Sequence, residues 1–203
     1  MAKRADFVES RRQKRRKQIF KGAVRVFAEK GYHSATTQEI ADAAGLAKAT
    51  LYEYVREKED ILLLTMEEAI LQLNDKIEKA LSGENNHEER LKKTILVQLE
   101  FARDFSGAAR VLRHEGANLS AAGKKRYSEL IDGQLNVMQT IIDEGIEAGC
   151  FRKLNSRVAA ELFLHSCTYF FSYGDMPFQK PPIGDVIEFI TNDVTKLITI
   201  SPT

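Results

Sequence analysis

The chain is poor in residues that staple or interrupt a fold. Of its 203 residues, two are cysteine and four are proline. Cys150 and Cys167 form no CxxC pair, so a disulfide is not expected, and both read as small buried hydrophobes. No apolar run reaches the length that spans a bilayer. The opening stretch MAKRADFVESRRQKRRKQIF has no apolar core of the signal-peptide kind, which predicts cytoplasmic residence and no membrane partner. No segment shows the alternation of a strand, and there is no internal repeat. Signatures of catalysis are also missing: there is no phosphate loop, nucleophile elbow, HExxH or cysteine–histidine metal spacing. The four histidines (33, 87, 114 and 165) are scattered. We therefore expect no enzyme, no catalytic residue, no metal and no cofactor.

What is present is charge, unevenly placed. Residues 1–60 hold 14 Lys and Arg against 9 Asp and Glu, whereas residues 61–203 hold 16 against 20. The first 30 residues alone hold 11 against 3. A basic head on an acidic body fits a head that meets a polyanion, although a solvated basic helix face carries the same pattern.

Nearly every segment has helical period. Ile19, Phe20, Ala23, Val24, Phe27 and Ala28 form an apolar stripe that Gly31 should end. Thr36 stands three residues before Glu39, the spacing of a capping box, and opens a short helix that stops at Gly45. A third helix is expected from about Ala47 to Tyr54, and a fourth from Lys58 to about Leu81. Further helices are expected at 88–105, 107–117, 121–149, 156–173 and 184–199, with Gly123 delaying the third of these and Gly149 ending it. Pro177, Pro181 and Pro182 mark a loop before the last. The class is all-α, with about nine helices. The shift in composition near residue 60 predicts a helix-turn-helix domain with a basic N-terminal arm over 1–60, and a larger ligand-binding and dimerisation domain over 61–203.

The two short helices joined by Gly45 and Leu46 have the form of a helix-turn-helix. In that geometry the second helix enters the major groove with its N-terminal residues toward base edges. Ile40, Ala41, Ala44, Leu46 and Leu51 are needed for packing, which leaves Lys48, Ala49, Thr50, Tyr52, Tyr54 and Lys58 to face outward. Lys48 can donate to guanine or phosphate, and Ala49 and the Thr50 methyl can touch a thymine methyl. The tyrosine hydroxyls and Lys58 suit phosphates. Thr36 and Thr37 sit at a helix N-terminus, where a hydroxyl, free N–H groups and the dipole favour a phosphate, although both could be caps alone.

Residues 36–62, TTQEIADAAGLAKATLYEYVREKEDIL, with the preceding FAEKGYHSATT, resemble the DNA-binding signature of TetR-family transcriptional regulators. The resemblance implies DNA contacts at Thr37, Gln38, Lys48, Ala49, Thr50, Tyr52, Tyr54 and Lys58. Val55 departs from the phenylalanine usual there, which implies altered packing rather than lost binding. The basic arm Lys3–Lys17 precedes the family's usual start and could add phosphate or minor-groove contacts. The resemblance further implies a homodimer on a palindromic operator, a repressor, and a small-molecule inducer held in the body.

Two helices of the body have apolar surface wide enough for a dimer face or a core. One carries Ala159, Ala160, Phe163, Leu164, Cys167, Phe170 and Phe171, and the other Ile187, Ile190, Val194, Leu197 and Ile198. Candidate pocket residues are Phe101, Phe105, Tyr127, Met138, Phe163 and Thr168, with Arg110, Arg113 and His114 as the polar cluster. Arginines there could pair with phosphate or carboxylate, or lie on a solvated helix end. The stretch IIDEGIEAGCFRKLNSRVAAELF is similar to the C-terminal part of TetR-type repressors of fatty-acid and acyl-CoA breakdown, which implies a long-chain acyl-CoA as the effector. The rival reading is a helical interaction module that has lost DNA binding. The outward set from Thr37 to Lys58 argues against it.

Overall fold

The computed structural model describes residues 2–105, 111, 115–116, 119–172 and 182–200. Among these, every regular element is helical, and the two chain segments paired across an isolated bridge, Phe151 with Thr199, form no strand. The elements are α1 (Ala2–Ser34), α2 (Thr37–Ala44), α3 (Lys48–Tyr52), α4 (Lys58–Leu81), α5 (His87–Asp104), α6 (Ala121–Glu147), α7 (Ser156–Ser172) and α8 (Ile183–Glu188). α8 runs on as a π-helical segment, Phe189–Val194. The all-α class is thus observed. The helix expected over 107–117 lies mostly outside the described residues, as do Pro177 and Pro181.

The chain forms two compact units that interleave in sequence: Met1–Leu71 with Gly107–Leu130, and Gln72–Ser106 with Ile131–Thr203. α4 and α6 each contribute residues to both.

In the first unit the apolar stripe of α1 packs on α2. Ile19, Ala23, Val26 and Phe27 meet Ile40, Ala41 and Ala44, and Leu46, Leu51, Val55 and Ile61 through Leu64 close the same core. The crossing is tight at Gly22. A Cβ there would lie 2.7 Å from the Ala44 backbone nitrogen and 2.9 Å from the Ile40 carbonyl oxygen. Only glycine lets two backbones approach so closely. α1 breaks at Gly31, whose φ of 74° is left-handed, so the expected stop is real. Val55, the departure from the family pattern, is buried in this core.

The basic stretch expected as an arm is the first half of α1. One of its arginines turns inward: Arg16 Nε donates to Glu68 Oε1 at 2.6 Å and its Nη2 to Glu67 Oε2 at 2.9 Å. Glu68 is fully buried, and Gln13 donates to its other oxygen. Arg126 of α6 also pairs with Glu67. A buried carboxylate is tolerable only when paired and hydrogen-bonded in this way.

Gly123 does not delay α6, which starts at Ala121. It makes room for Glu59: a Cβ on Gly123 would fall 2.3 Å from Glu59 Oε1. That carboxylate accepts from the Ser120 backbone N–H at 2.9 Å and from the Ser120 hydroxyl, while Ser120 Oγ caps the Gly123 N–H at 3.0 Å. The start of α6 is therefore held by a residue from the first turn of α4.

The second unit is built on α5, the later part of α6, α7 and the C-terminal helices. Leu91, Ile95 and Leu99 pack with Leu135, Met138, Ile141 and Ile142, with Ala160, Phe163, Leu164 and Cys167, and with Val186, Ile190 and Ile198. Of the apolar residues read as core or dimer face, these form the chain's own core, whereas Leu197 is 65% exposed. Phe170 and Phe171 lie outside the described side chains. Burial pushes the Cys167 thiol up to about 12, so it stays a protonated hydrophobe. Cys150 is only half-buried, because it sits in the turn after Gly149 rather than on a packed helix face.

Candidate nucleic-acid interface

α2 begins with a complete capping box. Thr36 Oγ1 accepts from the Glu39 N–H at 3.2 Å, and Glu39 Oε2 accepts from the Thr36 N–H at 2.9 Å. Two orphan donors of the helix start are thereby satisfied. Lys30 of α1 pairs with the other oxygen of Glu39, and this ammonium, followed by the Thr36 hydrogen bonds, holds the Glu39 carboxyl down at about 2. The N–H groups of Thr37 and Gln38 keep no intrahelical acceptor, as at any helix start, and point along the axis. α2 ends at Gly45, φ 66°, whose left-handed backbone turns the chain sharply into α3.

The five residues of α3 then split by face. Leu51 is fully buried, whereas Lys48 and Ala49 are exposed, Thr50 is half-buried and Tyr52 is 45% exposed. Tyr52 OH lies 3.3 Å from Thr37 Oγ1, and Lys48 Nζ stands 6.0 Å from the centroid of the Tyr52 ring. Thr37, Lys48 and Tyr52 therefore form one continuous outward surface across the two helices. Gln38 faces out as well, its amide donating to Asp42 Oδ1 at 2.8 Å. Thr36 is exposed with its hydroxyl in the capping box.

Two expected contact residues sit deeper. Tyr54, half-buried after the end of α3, packs its ring against the core of the first unit. Lys58 turns its ammonium onto three carbonyls, those of Tyr32 at 2.8 Å, His33 at 3.0 Å and Ala35 at 3.1 Å. Its Nζ also lies 4.6 Å from the Tyr32 ring centroid. An ammonium has three N–H donors, so this arrangement engages all of them. Lys58 thus ties the chain between α1 and α2 to the start of α4.

The pocket candidates divide between the units. Tyr127 packs against the first unit's core. Phe101, Phe105, Met138 and Phe163 belong to the second unit; Phe101 and Phe105 stack at 4.3 Å, and Met138 and Phe163 are core. Arg110, Arg113 and His114, and the side chain of Thr168, lie outside the described residues. Glu115, their neighbour in sequence, places Oε1 3.1 Å from His33 Nε2. Among the described residues no group of three His, Cys, Asp or Glu could hold a metal.

Sequence reasoning missed Gly22, the Glu59–Ser120 tie and the inward turn of Arg16. A lone glycine inside a helical stripe was the available signal for the first. The other two depend on which helices meet, and no local pattern carries that.

Comparison with known proteins agrees with this geometry. Residues 19–65 match the family described as bacterial regulatory proteins, tetR family, and residues 84–172 match a tetracyclin repressor-like C-terminal domain. The chain is 31% identical over 154 residues to the fatty acid metabolism regulator protein of Bacillus subtilis (strain 168), over 74% of this chain and 79% of that protein. It is similar in structure to the transcriptional regulator FadR from Bacillus subtilis in complex with stearoyl-CoA: TM-score 0.72, 27% identity, 86% of this chain and 97% of that one. The fatty acid degradation regulator FadR from Bacillus halodurans gives a TM-score of 0.71 at 27% identity, over 87% of this chain and 98% of that one. These relatives are regulators, not enzymes. With a capped α2, a glycine turn and an outward-facing α3 inside the matched segment, the chain belongs to the tetR family of bacterial regulatory proteins and is a DNA-binding transcriptional regulator.

Proposed function

We propose that the protein is a homodimeric repressor that occupies a palindromic operator and leaves it on binding a long-chain acyl-CoA. The observation that supports the DNA step is the joint surface of Thr37, Lys48 and Tyr52 across α2 and α3. With α3 in the major groove, Lys48 and Ala49 face base edges and Thr50 offers a methyl to thymine. Thr37 and Gln38 hold a phosphate at the α2 N-terminus, which the Thr36 capping box shapes, and the Tyr52 and Tyr54 hydroxyls fix register. Lys58 serves the interface by anchoring the α1–α2 junction. DNA reading belongs to residues 1–60, and ligand binding and dimerisation to 61–203. Such a role places the protein in the cytoplasm; no described helix is long and apolar enough to cross a membrane.

A single helix-turn-helix reads only a few base pairs, so two copies are required. The exposed apolar side chains Val158 and Leu162 of α7, with Phe189 and Leu197 near the C-terminus, support a dimer face there. The ligand class rests on the likeness to the stearoyl-CoA complex of the Bacillus subtilis regulator. The ligand binds the second unit, with Phe101, Phe105, Met138 and Phe163 as its apolar lining. It prefers a conformer poor in DNA affinity and shifts the population by its differential affinity. α4 and α6, continuous through both units, carry the change.

The test is a titration of stearoyl-CoA into the preformed protein–operator complex, followed by fluorescence anisotropy. Release by stearoyl-CoA, but not by free coenzyme A, is expected. An operator affinity unchanged at saturating stearoyl-CoA would contradict the ligand assignment.

A further inference from the structure

Two glutamines interrupt the buried helical stripes of the second unit. On α5 the buried residues run Leu91, Thr94, Ile95, Gln98, Leu99, Phe101 and Ala102. On α6, Gln134 precedes the buried Leu135, Met138, Ile141 and Ile142. Both glutamines are only 3% exposed. The buried threonines of the unit spend their hydroxyls on a carbonyl one turn back, Thr94 on Arg90 and Thr195 on Thr191. The glutamines do not. Neither Nε2 nor Oε1 of Gln98 has a hydrogen-bond partner, and Gln134, whose Nε2 donates to Asn74 Oδ1 at 2.7 Å, leaves its Oε1 unmatched.

Buried polar groups are almost always hydrogen-bonded, and an unmade bond costs the desolvation of the group. A leucine at position 98 would avoid that cost and suit the stripe. The unmet valences have a definite complement. Gln98 offers an N–H pair and a carbonyl, and Gln134 offers a carbonyl. The partner of Gln98 must both accept and donate, which a water molecule does and which an amide of a ligand also does. A saturated acyl chain does neither, whereas the pantetheine arm of coenzyme A carries amides. On the reading that the second unit takes an acyl-CoA, we infer that Gln98 is the residue that recognises a pantetheine amide. Gln98 then makes the site select acyl thioesters of pantetheine over fatty acids of the same chain length.

The experiment measures binding of two probes to the full-length protein. S-stearoyl-N-acetylcysteamine carries the thioester and one amide, and S-methyl thiostearate carries the thioester alone. Wild type should bind the first more tightly, and Gln98→Leu should erase that preference, losing about tenfold for the amide probe and little for the other. The melting temperature of the ligand-free variant should hold or rise. Gln98→Met serves as a second apolar replacement should the leucine variant misfold. Equal losses for both probes, an undiminished amide preference, or a lower melting temperature in both variants would overturn the inference, because Gln98 would then be a structural amide. Binding of neither probe, nor of stearoyl-CoA, to wild type would overturn the acyl-CoA reading itself and the inference with it.

Discussion

Thr37 Oγ1 lies 3.3 Å from the Tyr52 hydroxyl, so the first residue of α2 is joined to the last residue of α3 through an exposed contact. The contact uses one O–H and leaves the other free at the helix N-terminus, where the proposed phosphate would accept it, while Lys48 Nζ stands 6.0 Å from the Tyr52 ring centroid.

Tyr52→Phe keeps that ring and removes the hydroxyl. Operator affinity is expected to fall about three- to tenfold, roughly the net worth of one ordinary hydrogen bond, with the thermal unfolding midpoint nearly unchanged. The loss should be similar on operator and non-specific DNA, because a phosphate carries no sequence information. Anisotropy on both duplexes checks this.

Lys58→Met keeps the aliphatic stem and removes all three N–H donors, leaving the carbonyls of Tyr32, His33 and Ala35 without this partner. A stability loss of about 1–3 kcal/mol is expected. The salt dependence of DNA binding should not change. A slope reduced by about one unit would instead make Lys58 a phosphate contact.

Gly22→Ala is expected to destabilise the first unit. In an ordinary exposed helix this exchange stabilises by about 1 kcal/mol. Here the added methyl meets the backbone of Ala44 and Ile40 at under 3 Å, and overpacking of this kind costs about 1–3 kcal/mol. Denaturant unfolding should therefore show the sign reversed from the helix-propensity expectation.

The proposed dimer face is tested by Leu162→Glu combined with Phe189→Glu. These side chains are 66% and 59% exposed in the single chain, so neither change disturbs the core. Sedimentation should show a monomer, and operator binding should weaken steeply because one reader alone contacts a half-site. A dimer that persists would place the interface elsewhere.

Local features were legible in the sequence to the degree that they depend on neighbours in the chain. The Thr36–Glu39 capping box and the glycine stops at 31 and 45 follow from spacing and backbone freedom, and both are present. The outward set on α3 followed from removing the packing positions, because Leu51 alone is needed inside. Features set by which helices meet were not legible. Lys58 has the composition of a phosphate contact, but three carbonyls gathered from the α1–α2 junction engage its ammonium. Arg16 reads as one cation among many, yet it neutralises a buried carboxylate from α4. The last helices were recognisably apolar, but choosing residues by apolarity alone selected mostly the chain's own core, Phe163 and Ile190 among them, with Leu197 the exposed exception. Leu162 and Phe189, on the outer side, were not singled out, because apolarity does not report which neighbour covers it.

The central claim is that α2 and α3 grip DNA by sequence. It is tested most directly by fluorescence anisotropy on the DNA immediately upstream of the protein's own gene, with a scrambled duplex of equal length, near physiological salt. Wild type should prefer the upstream duplex by about a thousandfold or more, and Lys48→Ala with Tyr54→Phe, which keeps the packed ring, should cut that preference by about tenfold or more while the protein stays folded. Equal binding of wild type to both duplexes, or an undiminished preference in the folded double variant, would contradict the account.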